Sequence, residues 1–204
     1  MGAEVNKAIP FLLHERLTGA FAWLANELEA LFIGQGGTVS GNTLKIGFDR
    51  RFGDDYAACI IHAPIVQSVT ADPIPPVYWE VLKTFNGAKL FAIDLFGMLE
   101  DESNRRQCLS LTSANRFWIN GYRELPKGSF HFASRWYSWS ENIGYFYDSS
   151  LRVFSARKSG EVIGVWPTVE AMLREECGIA KRLETEMRTK LRSSSGLPQK
   201  SDGD

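Results

Sequence analysis

The chain has 204 residues, a formal net charge of −1, 44% hydrophobic and 12% aromatic residues. That length supplies one domain with a sizeable core, burying roughly 70% of what the unfolded chain exposes, and the near-neutral balance gives no electrostatic drive toward nucleic acid. Cys59, Cys108 and Cys177 lack the spacing of a disulfide framework or a zinc site, and neither a secretory pattern at the start nor a run of about 18 apolar residues is found, so a reducing, cytoplasmic setting without a membrane span is expected.

In chain order, Leu13, Leu17, Phe21, Leu24, Leu28 and Leu31 recur at three- and four-residue steps. The spacing predicts one amphipathic helix over residues 9–33, stopped at Gly34. Its stripe is expected to pack on the domain; a partner-binding helix is the alternative. Gly34-Gln35-Gly36-Gly37 is not a phosphate loop, because no Lys-Ser/Thr follows and a strand comes next. Thr38–Ser40 and Thr43–Phe48 flank Gly41-Asn42 and read as a hairpin. Asp49–Asp55 is a charged loop without the order of a calcium site, and Tyr56–Ile61 is a further strand.

The stretch from Ile74 to Gly97 organises the rest. Pro75 and Pro76 suit a helix's first turn. Tyr78, Val81, Leu82 and Phe85 then share one helical face, and Asn86-Gly87 closes the helix because both tolerate a left-handed backbone. Leu90-Phe91 and Leu95-Phe96 restart an apolar run that reads as strand.

Glu100–Arg106 is a polar loop or short helix start, and Phe117-Trp118-Ile119, Asn120-Gly121 and Tyr122 suggest a turn flanked by aromatics. Leu125–Ser129 is another turn; Phe130 and Phe132 flank His131 in period two. Tyr145–Tyr147, Val153–Arg157 and Val162–Val165 form a three-stranded antiparallel meander. Thr168 is the expected N-cap of a helix carrying Val169, Met172 and Leu173, ended or kinked at Gly178. Leu183, Met187 and Leu191 mark a short second helix, and Ser193–Asp204 has a disordered composition.

Catalytic patterns are weak. His14, His62 and His131 lie on three separate elements without ligand spacing. No Gly-x-Ser-x-Gly elbow is present, and the acidic runs at Glu100–Glu102 and Glu175-Glu176 read as solvated faces. The densest aromatic stretch holds Trp136, Tyr137, Trp139, Tyr145 and Tyr147 beside Arg135 and Arg152. Large rigid rings with a polar tip favour binding hot spots, so these seven are the candidate partner-binding residues, with ordinary sheet packing as the alternative.

The Pro-x-x-Tyr run ending at Tyr78, the short helix, Asn86-Gly87 and an apolar strand ending at Phe96-Gly97 resemble the signature of the SUKH superfamily, the Smi/Knr-like proteins. The likeness continues through Leu125-Pro126, Phe130–Ala133, Gly144–Asp148, Val153-Phe154 and the strand and helix from Val162 to Glu176, covering roughly residues 70 to 177. It implies structural roles for Pro76, Tyr78, Asn86, Gly87, Phe96 and Gly97. It also implies a non-enzymatic fold offering a concave surface to another protein, as in bacterial immunity proteins that neutralise a nuclease or deaminase toxin, or in fungal regulatory hubs.

The expectation is therefore an α+β fold: a mainly antiparallel sheet of about six strands with flanking helices. One domain would span 1–180, with 1–69 a helix and hairpin extension and 70–180 the core, followed by a charged, partly disordered tail at 181–204. The expected function is binding of a protein partner, a cognate toxin, with no cofactor or metal. A scaffold for a host partner is one alternative; a hydrolase or nuclease built from His62, His131, Asp94 or Glu141 is the other.

Overall fold

Extended Pro75, with φ −54° and ψ 133°, leads into helix α3 (Pro76–Thr84), which ends where Phe85 goes extended at φ −155° and ψ 136°, ahead of the expected Asn86-Gly87 stop; Gly87 then turns the chain at φ 81°. The expected stripe of Tyr78, Val81, Leu82 and Phe85 is buried. Tyr78 anchors the helix: its hydroxyl donates to the carbonyl of Phe96 at 2.7 Å and also lies 3.2 Å from that of Phe132. Its ring sits 5.3 Å from Phe132. The structure, a computed structural model, describes residues 2–48, 57–65, 74–98, 110–138 and 141–194, and side chains within 8–48, 57–65, 74–98, 110–136 and 142–190.

Among the described residues the sheet is antiparallel and has nine strands, not about six: β1 (Gly37–Ser40), β2 (Thr43–Phe48), β3 (Ala57–His62), β4 (Ala88–Leu90), β5 (Ile93–Leu95), β6 (Phe130–Ser138), β7 (Glu141–Tyr147), β8 (Val153–Arg157) and β9 (Val162–Trp166). Their spatial order equals their order in the chain. Two causes raise the number. The apolar run from Leu90 to Leu95 folds back on itself, so that Leu90 pairs with Ile93 across Phe91-Ala92. The N-terminal hairpin joins the core directly, through β2–β3 and β3–β4 pairing.

The predicted 9–33 helix is two helices, α1 (Gly2–Arg16) and α2 (Ala22–Gln35), joined by a single 3-10 turn at Gly19–Phe21. The stripe survives the break: Leu13, Leu17, Phe21, Leu24 and Leu28 are all buried in one cluster with Leu44 and Ile46 of the sheet, and Leu31 packs against it. Conversely, Gly178 breaks nothing. Helix α5 runs from Val169 to Ser194 and absorbs the expected second helix; Thr168 caps it, its hydroxyl accepting from the Ala171 amide at 3.1 Å. No described helix is long and apolar enough to cross a membrane.

These helices share one main core with one face of the sheet. The opposite, outer face carries a smaller cluster, Phe146, Phe154 and Ala156, covered by Ile119, Tyr122 and Leu125. The cover begins with α4 (Leu111–Arg116) and a 3-10 helix at Trp118–Gly121, which replaces the expected turn.

Candidate functional site

A bulge decides which side chains of β6 reach the outer face. The β6–β7 register slips between His131 and Ala133, so Phe132 and Ala133 both join the main core and the alternation resumes one residue late. His131, Ser134 and Trp136 face outward, while Arg135 turns inward.

The outer face holds a hollow of about 430 Å³, lined by Phe96, Phe117, Trp118, Gly121, Tyr122, His131, Ser134, Asn142 and Lys158. The sheet supplies its polar floor and the 3-10 helix its aromatic wall. Phe117, Trp118 and neighbouring Trp136 are exposed by 68%, 40% and 41%. Trp136 is tethered, its indole N–H donating to Asp94 Oδ2 at 3.3 Å. Burial pushes the Asp94 carboxyl up to about 6, against the pull of Lys89 and of that indole N–H.

His131 sits in an aromatic cage. Its ring stacks on Phe146 at 4.5 Å and meets Phe96 at 4.9 Å and Tyr122 at 5.3 Å, both edge-on. Burial pushes its pKa down to about 4, only partly offset by the backbone at Ala133 and Ala114. The imidazole is thus neutral at pH 7, and both ring nitrogens are closed off from solvent. Its backbone is fixed instead by Asn115 of α4, which accepts from His131 N–H at 2.8 Å and donates to His131 C=O at 2.9 Å where β5 has already ended.

Of the seven candidate partner-binding residues, the structure leaves Trp136 and Arg152 at the surface and corrects three. Arg135 is buried, its Nε 3.0 Å from Glu176 Oε2 of α5. Tyr145 is buried beside it and donates to the same carboxylate oxygen at 2.7 Å; burial and that carboxylate push its phenol far up. Tyr147 is buried against Tyr78 and Phe132. Tyr145 and Tyr147 alternate with Phe146, which puts both on the helix side. Arg152 closes a turn onto Asp148 at 2.9 Å, away from Trp136. The side chains of Tyr137 and Trp139 lie outside the described residues, as do Asp49–Asp55, Glu100–Arg106 and Cys108.

The residues resembling the SUKH signature form one structural knot. The Asn86 side chain accepts from Met98 N–H at 2.6 Å. A Cβ on Gly97 would lie 2.4 Å from the Asn86 carbonyl oxygen, so only glycine fits there. Phe96, fully buried, backs the hollow by meeting Trp118 edge-on at 5.8 Å. Phe96 thereby shapes the site from behind.

His62, Asp94 and His131 lie on β3, β5 and β6 and have separate surroundings: His62 meets the Thr43 hydroxyl at 3.1 Å, Asp94 meets Trp136, and His131 lies among rings beside the backbone of Ala133 and Ala114. The Glu141 side chain is outside the described residues. Among the described residues no cluster of three His, Cys, Asp or Glu side chains could hold a metal ion. Burial pushes the Cys59 and Cys177 thiols up to about 12, the behaviour of small inert hydrophobes.

The sequence reading placed Phe117 and Trp118 beside a turn without a site role and passed over Ser134, Asn142 and Lys158. One signal was present: two adjacent aromatics in a polar stretch cannot both be buried by a one-turn helix.

No protein-family model matches the chain, and no curated protein or solved structure is significantly similar to it.

Proposed function

We propose that the protein binds another polypeptide through the outer face of its sheet, in the manner of a SUKH-type immunity protein that neutralises a cognate toxin. The observation that carries this reading is the exposure of Phe117 and Trp118 on the lining of a concave hollow, with Trp136 exposed on the same face of β6. Large rings left in water at the rim of a depression are the usual anchors of protein interfaces. The order of the signature motifs supports the family half of the proposal, and a cytoplasmic site of action goes with it.

The test is co-expression with toxins encoded beside the gene, followed by pull-down. Capture and protection by the parent chain are expected, both lost in a Phe117→Ser, Trp136→Ala variant of unchanged Tm. If the variant protects as well as the parent, the surface is wrongly assigned; if no toxin is captured, the immunity reading falls.

A further inference from the structure

We draw no further inference here: the strongest candidate, the exposed apolar stretch of Val162, Ile163 and Val165 on β9 at the end of the sheet, carries nothing because nothing in the structure shows what covers it.

Discussion

Gly97 shows how much one missing methyl can decide. An added Cβ would press on the backbone of Asn86, at 2.4 Å from its carbonyl oxygen, and backbone cannot swing aside as a side-chain tip can. Gly97→Ala is therefore expected to destabilise by more than about 2 kcal/mol, the range of steric conflicts in a packed core; urea denaturation measures it. Two outer-face groups set a pH dependence of opposite sign. His131 titrates near 4 in the folded chain against about 6.5 unfolded, so its contribution is lost as pH falls from about 6.5 toward 4. Asp94 titrates near 6 against about 3.9 unfolded, so its contribution runs the other way and fades as pH rises from about 4 to 6. His131 is the more deeply enclosed and should dominate. His131→Phe is expected to flatten the acid limb of a Tm-against-pH curve between pH 4 and 6.5, and Asp94→Asn to steepen it. A parallel shift of both variants would contradict the assignment.

At the scale of elements, the bulge in β6 is the turning point. Strict alternation along the strand would place Arg135 on the face of His131; the slipped register carries it to α5, where Glu176 and Tyr145 receive it. Removing one member leaves a buried charge without its counterpart. Arg135→Met alone should cost about 3–5 kcal/mol, and the pair Arg135→Met, Glu176→Leu much less, because filling such a site with apolar groups is often close to neutral. A double-mutant cycle in urea checks both.

The same slip explains why the candidate surface was legible only in part. Period-two reasoning found the strand, but one inserted residue reverses every later assignment, and no turn-forming residue announces it. The β4–β5 hairpin hides in the same way. Phe91, at φ 55°, takes a conformation usually left to glycine, and its two-residue turn looks apolar throughout. By contrast, the start of α3 was readable, because Pro75-Pro76 act through local backbone chemistry that needs no tertiary context, while its end came at Thr84, before Asn86-Gly87. The hollow was not readable at all: Ser134, Asn142 and Lys158 come together only through strand pairing.

For the whole molecule, the N-terminal third is structural and not an appendage. Phe21 meets Phe85 edge-on at 5.5 Å, and Leu13, Leu17, Leu24 and Leu28 share their core with α3 and α5. Deleting residues 1–35 is expected to yield insoluble or molten protein, seen as lost near-UV circular dichroism; a truncated chain with a cooperative melt would show the remainder to be autonomous.

Because each strand lies beside the one that precedes it in the chain, the sheet needs no threading, and even its long connections, from His62 to Ala88 and from Leu95 to Phe130, return to the neighbouring edge. A ribosome extruding this polypeptide would present every new strand to an edge already waiting for it, so hairpins can zip up in the order of synthesis. Helix α5 follows every strand and returns to the N-terminal hairpin, its Arg188 donating to the Gly47 carbonyl. The body is then expected to lock only once α5 has left the ribosome and docked.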